Sequence, residues 1–247
     1  MKNTLLAVPA SHPSLAAELM LRRKRIDFER IDLVPGLHRP IVRAIGFPEG
    51  TVPALVIDRQ RLQGTRTIAR ALDLLAPDPP LFPRERERRE PVERAELWGD
   101  LVLQPLARRL AWAALRRDRS GIESLLEGAR LGIPQRLAVL TSPPVIRLAA
   151  RLNRAGDRSA RRDLASLPGA LASVDELVGR GVVGSPEPNA ADFQLATSVR
   201  LLMTLDDLRP AIEARPAGRL ALDVVPSFPG RIPPVFPAEW LSVRSRP

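Results

Sequence analysis

The apolar run Ala54-Leu55-Val56-Ile57 is entered through Val52-Pro53 and left through the polar Asp58-Arg59-Gln60-Arg61. Proline has no N–H for a sheet ladder, so Pro53 belongs at the start or edge of a strand, and the run after it reads as that strand. The polar quartet reads as a turn and a short second strand ends at Gly64. Thr65 then caps a helix with Ile68, Ala71, Leu72 and Leu75 on one face. Upstream, residues 3–8 are apolar with weak alternation, and Leu15, Ala16, Leu19 and Met20 fall on one side of a helix. Arg22, Arg23, Lys24 and Arg25 close that helix where cations suit its dipole. The stretch from Phe28 to Val34 alternates as another strand, and a helix between two strands calls for a right-handed parallel crossover. With residues 35–48 read as loop around one helical turn, the order is βαβ-α-ββα, ending near Leu75.

Beyond it, Ala76-Pro77-Asp78-Pro79-Pro80-Leu81-Phe82-Pro83 reads as a linker, and the alternating charges of Arg84 to Glu90 open a helix. The remainder has helical periodicity. Leu97 and Leu101, then Leu106 and Leu110 past a break at Pro105, form stripes, as do Leu164, Leu167, Leu171, Val174 and Val178. From Pro216 the chain is rich in proline, with Phe228, Phe236 and Trp240 interspersed, and is expected to wrap the surface without regular structure. Before it, Val182-Val183-Gly184 leads through Ser185-Pro186-Glu187-Pro188 to Asn189, which caps a helix. Asp192, three residues on, reaches back to the cap backbone.

Composition narrows the chemistry. The 247 residues suffice for a core without staples, and the absence of cysteine excludes disulfides, thiolate metal sites and a cysteine nucleophile. Tyrosine is absent too. The N-terminal apolar stretch is short for a signal peptide, and no segment approaches the ~20 apolar residues of a membrane span, so a soluble, cytoplasmic protein is expected. The net charge of +10 comes from arginines dispersed among 28 acids, with Lys2 and Lys24 the only lysines. That pattern reads as a solvated surface. An aromatic fraction of 4% argues against stacking platforms for nucleic acid. Two histidines, His12 and His38, are too few for a histidine-rich metal site, and neither a glycine-rich phosphate loop nor a nucleophile elbow is present.

The Val52-Pro53 strand, the hairpin, the helix opened by a hydroxyl residue, and the loop and capping box of residues 182–193 together resemble the glutathione S-transferase superfamily over residues 3–215. The resemblance implies an α/β thioredoxin-like domain (1–76), a linker (77–90), an all-α domain (91–215) and a tail (216–247). It also implies that glutathione is the co-substrate. Val52, before a cis Pro53, would pair its backbone with the cysteinyl part of glutathione. Thr65 at a helix N-terminus would hold the γ-glutamyl carboxylate. Gly64 stands where the family commonly has an acidic or amide residue, which leaves Gln63 and Arg66 to shape that end. At the thiol position, Pro13 suits the first turn of a helix and puts His12 at the cap. The helix dipole keeps its imidazole neutral, able to accept or donate a hydrogen bond to sulfur, and Ser11 or Ser14 serves as the hydroxyl donor, so Ser11 and His12 are the candidate catalytic residues. The expected activity is conjugation of glutathione, or a related thiol, to a small apolar electrophile bound between the domains near Trp98 to Trp112, in a homodimer with neither nucleic acid nor membrane as partner. A non-catalytic binding or interaction protein on the same fold is the alternative.

Overall fold

A computed structural model describes residues 2–241 and has the expected βαβ-α-ββα order at its start. The elements are β1 (Thr4–Ala7), α1 (His12–Arg23), β2 (Glu29–Asp32), α2 (His38–Ala44), β3 (Ala54–Ile57), β4 (Gln60–Gln63) and α3 (Thr65–Leu75). The sheet order is β2-β1-β3-β4, with β1 parallel to β2 and antiparallel to β3, and β4 closing the hairpin. That hairpin turns on two residues, Asp58 and Arg59, at φ 46° and 67°. A turn with two positive φ values matches the twist of the strands it joins, so Gln60 and Arg61 are already strand.

One sheet face packs Leu5, Leu55 and Ile57 against Met20 and Leu21 of α1 and Ile68, Ala69 and Leu72 of α3. The other packs Leu6 and Ala54 against Val42 and Phe47 under α2. The buried face of α3 is therefore rotated from the expected one, and Leu75 is exposed. The basic end of α1 also differs from expectation. Lys24 is buried, and its Nζ donates to Asp73 Oδ1 (2.7 Å), Ala76 O (2.6 Å) and Pro79 O (2.7 Å), while Asp73 also accepts from Leu81 N–H. A buried ammonium persists because all three of its protons are matched, and here it fastens the linker to the first domain.

The second half contains α4 (Arg86–Trp98), a π-helical turn (Gly99–Leu103), α5 (Gln104–Arg117), α6 (Ile122–Leu125), α7 (Gln135–Leu140), α8 (Ser142–Leu152) and α9 (Asp157–Gly179). Then come α10 (Ala190–Leu202), α11 (Arg209–Glu213), α12 (Pro216–Val224) and α13 (Ala238–Leu241). Every residue of α10 is buried, which makes it the axis of the domain. The π turn sits just before Pro105, a residue that cannot supply the usual amide to an α-helical ladder. The wider turn rotates the apolar face: Leu103, Leu106 and Leu110 enter the core, whereas Leu97 and Leu101 are exposed, against expectation. The tail departs from expectation as well. Pro216 starts α12, as proline does in a helix's first turn, and Ala217, Leu220 and Ala221 are buried. Past Val225 the chain runs irregularly, with Ile232 bridging Leu205 and Phe236 stacked on Trp240 before α13.

The capping box of α10 is formed. Asn189 Oδ1 accepts from Ala191 N (2.9 Å) and Asp192 N (3.3 Å), and Asp192 Oδ2 accepts from Asn189 N (2.8 Å). Asp192 Oδ1 additionally accepts from Gly184 N at 2.6 Å, tying the preceding loop to the helix. Burial pushes this carboxyl up to about 6 against the pull of its two backbone donors. Replacing Asp192 with Ala strands both donors, so urea titration is expected to show a loss of about 2 kcal/mol or more. An unchanged midpoint would remove Asp192 from the structural account. Among the described residues, no helix is long and apolar enough to cross a membrane, and no cluster of three or more His, Cys, Asp or Glu could hold a metal ion.

Candidate active site

The chain leaves β1 through Val8-Pro9-Ala10 and enters α1 at Ser11, which is the N-cap. Ser11 Oγ accepts from Ser14 N (3.3 Å) and Ser14 Oγ (2.9 Å). With both lone pairs engaged, its own proton is left to donate elsewhere. His12 was expected at the cap. It is instead the first helical residue, because the short serine side chain reaches the third amide of the helix. His12 is buried, its Nε2 has no hydrogen-bond partner among the described residues, and its imidazole is depressed to about 3. The main cause is burial, with Arg108 adding to it and a hydrogen bond to the Gln104 backbone opposing. His12 is therefore neutral at physiological pH, as expected, although burial rather than the helix dipole is responsible.

Val52 precedes a cis peptide bond to a buried Pro53. The loop before it is fixed by Gln63, whose Oε1 accepts from Glu49 N (3.0 Å) and whose Nε2 donates to Glu49 O (2.8 Å) and Thr51 O (2.8 Å). The Gln63 amide thus positions the Val52 strand entry from behind. Gly50 contributes a close approach, since a Cβ there would lie 2.9 Å from Arg39 Cβ in α2. At α3 the cap is Gly64, at φ 83°, a conformation that favours glycine. Thr65 is the first residue of the helix and not its cap, so the expected capping role is corrected. The helix consequently opens with no side-chain cap, leaving first-turn amides without an intrahelical partner. Arg66 turns toward α4, where its Nε lies 3.4 Å from Glu96 Oε2, and Arg70 Nη1 donates to the same oxygen at 2.8 Å. Glu96 is fully buried, and burial raises its carboxyl above the usual range against the pull of these arginines.

Ser11, His12, Thr51 and Val52 line one end of a cavity of about 390 Å³ between the two halves of the chain. Its opposite wall is α5, where Pro105, Arg108, Trp112 and Leu115 follow a spacing of three, four and three residues and so share one face. The π turn sets the phase of that face. Trp112 is on the cavity as expected, whereas Trp98 is not among its lining residues. Thr65, Gln63 and Arg66 also lie outside it: Thr65 at the open start of α3, Gln63 and Arg66 in the contacts just given. The sequence reading did not single out Arg108. Its spacing from Trp112 was visible, but its place on a cavity wall becomes apparent only once α5 is packed against the first domain. Chemically, the cavity offers a helix N-terminus, a hydroxyl with a proton to donate and a nearby guanidinium. That environment favours an anion such as a thiolate.

Residues 5–80 match the family model described as glutathione S-transferase, N-terminal domain. Among solved structures, β-etherase LigF from Sphingobium sp. strain SYK-6 is similar at TM-score 0.63 and 19% identity, covering 90% of this chain and 94% of that one. FzlA from C. crescentus is similar at TM-score 0.58 and 17% identity, covering 98% and 99%. A glutathione S-transferase from Methylobacterium radiotolerans JCM 2831, solved with glutathione sulfonate, gives TM-score 0.54 and 18% identity over 96% and 97%. At these identities the likeness is one of fold. No curated protein sequence matches the chain.

Proposed function

Starting from a chain of glutathione S-transferase fold, whose residues 5–80 are an N-terminal domain of that family, we propose that it binds glutathione, or a related thiol, and transfers it to a small electrophile with an apolar body. The observation that carries this reading is the joint placement of Ser11, at the start of α1, and Val52 on one interdomain cavity. Val52 offers its backbone to an extended peptide as an added strand would. The uncapped start of α3, with Thr65, takes a carboxylate. Ser11 donates to the sulfur and, with the dipole of α1, holds it as thiolate. Trp112 and Leu115 supply apolar wall on which an electrophile is held beside it. That the similar Methylobacterium transferase was solved with glutathione sulfonate supports a tripeptide in the corresponding cleft. A cytoplasmic location and a homodimer complete the proposal, as the resemblance implies.

Thr65 tests the binding half. Thr65→Val removes the hydroxyl while keeping the shape, and because Thr65 does not cap α3 the melting temperature should stay within a few degrees. Calorimetric affinity for glutathione should fall about tenfold, the value of one hydrogen bond to a charged group. Unchanged affinity would place the carboxylate elsewhere.

A second reading, a non-catalytic binding protein, is favoured by one observation: Gln63 and Arg66 are engaged by Glu49, Thr51 and Glu96, leaving fewer free groups at the γ-glutamyl end. Calorimetry with glutathione beside a turnover assay separates the two.

A further inference from the structure

The α5 wall of the cavity carries a charge that thiol activation does not call for. Arg108 is half-buried and lines the cavity, and among the described residues its side chain makes one hydrogen bond, from Nη1 to Gln104 Oε1 at 3.3 Å. No carboxylate lies within ion-pair distance of it among the described residues. Its neighbour Arg109 is different, held bidentately by Asp163 at 2.5 and 3.0 Å. Asp100, the acid that acts on Arg108 from a distance, is itself engaged by Gln104 Nε2 at 3.0 Å. Arg39 of α2 faces the same cavity, is close enough to repel Arg108, and likewise forms no ion pair among the described residues. A guanidinium partly withdrawn from water is commonly paired, and an anion reaching it there gains a charge-assisted hydrogen bond. Here the cavity leaves that place open, next to the apolar side chains of Trp112, Leu115 and Leu126.

We propose that Arg108, with Arg39 beside it, binds the carboxylate of the second substrate, so that the electrophile is an aromatic or aliphatic acid with its apolar body against Trp112. The proposal rests on the transferase reading and narrows its substrate class. For an activated aryl chloride such as 4-chloro-3-nitrobenzoate, the thiolate sulfur bonds to the ring carbon and the C–Cl bond breaks. Chloride leaves with the bonding pair, and the proton given up by the thiol passes to solvent. The carboxylate takes no part in the bond changes and serves as the handle.

The test compares paired probes on the full chain. Without glutathione, calorimetry with unreactive 3-nitrobenzoate and 3-nitrobenzamide should show the acid binding about tenfold tighter or more, as a charge-assisted pair in a low-dielectric site requires. With glutathione, 4-chloro-3-nitrobenzoate should exceed its amide by a similar factor in kcat/KM once each is divided by its uncatalysed rate with the thiol, because the amide is intrinsically the more reactive aryl chloride. Arg108→Gln should bring both ratios close to one, and Arg108→Lys should restore part of them. Equal affinity of the wild type for acid and amide overturns the proposal, and so does a preference that survives Arg108→Gln. If Arg108→Gln instead weakens glutathione itself by the same factor, the anion at Arg108 is the tripeptide's own carboxylate, and the assignment to the second substrate fails. Should the substituted proteins not fold, the wild-type ratios alone decide. A protein that prefers the benzoate yet binds no glutathione keeps the anion site and loses the transferase reading, so the two failures are distinct.

Discussion

Acidification from pH 7 to pH 4 is expected to destabilise this protein by about 3 kcal/mol more than it destabilises a His12→Gln variant. The origin is the buried imidazole of His12, whose folded value of about 3 lies far below the ordinary 6.5. An unfolded chain protonates this group as the pH falls through 6.5, whereas the folded chain resists until about 3, so the unfolded state binds the extra proton across that window. His12 therefore contributes stability that is fully present above pH 6.5 and is lost progressively as the pH falls. Asp192 works in the opposite sense. Its folded value of about 6 exceeds the ordinary 3.8, so its contribution becomes more favourable as the pH falls from about 6 toward 4. It is common to both proteins and cancels in the comparison. Urea titrations of wild type and His12→Gln at several pH values give the difference directly. Parallel pH profiles would mean that His12 is solvated or paired, contrary to its buried, unpartnered Nε2.

The second large effect is on turnover. Ser11→Ala should lower kcat about a hundredfold while changing the KM for glutathione by less than about threefold, because a donor to developing or held negative charge counts most in the transition state. It should also cost about 1 kcal/mol of stability, since the same oxygen caps α1. The rates are therefore compared where both proteins are fully folded. His12→Gln is the control. If it takes the larger share of kcat and Ser11→Ala takes little, the imidazole is the activating group.

The fold was readable wherever a local rule acts alone. Pro53 at a strand entry, the two-strand hairpin, and Asn189 with Asp192 at the start of α10 each follow from a residue's own hydrogen-bonding capacity, and each is present in the structure. The misreadings have a shared cause in contacts made by other segments. Lys24 read as a surface cation because neither Asp73 nor the carbonyls of Ala76 and Pro79 are near it in sequence. Leu97 and Leu101 read as core from their spacing alone, but α4 buries its Val92, Ala95 and Glu96 face instead, and the π turn rotates Leu101 outward. In the candidate site, Ser11 and Val52 were named from the resemblance, and both lie on the cavity. The role of Gln63 as a brace for the loop, and the tie of Arg66 to Glu96, depend on pairings across the fold. Arg108 is the strongest case of this kind: one arginine among many in sequence, distinguished in space by its place on the cavity wall opposite Ser11.

The central claim is that the cleft beside Ser11 and Val52 holds glutathione with its sulfur as thiolate. It is tested most directly by following the ultraviolet thiolate absorbance of bound glutathione as a function of pH. Saturable binding to the wild type is expected, with the bound sulfur ionising about one to two units below free glutathione and that shift largely lost in Ser11→Ala. Absence of binding, or a bound thiol that titrates as it does in free solution, would contradict it.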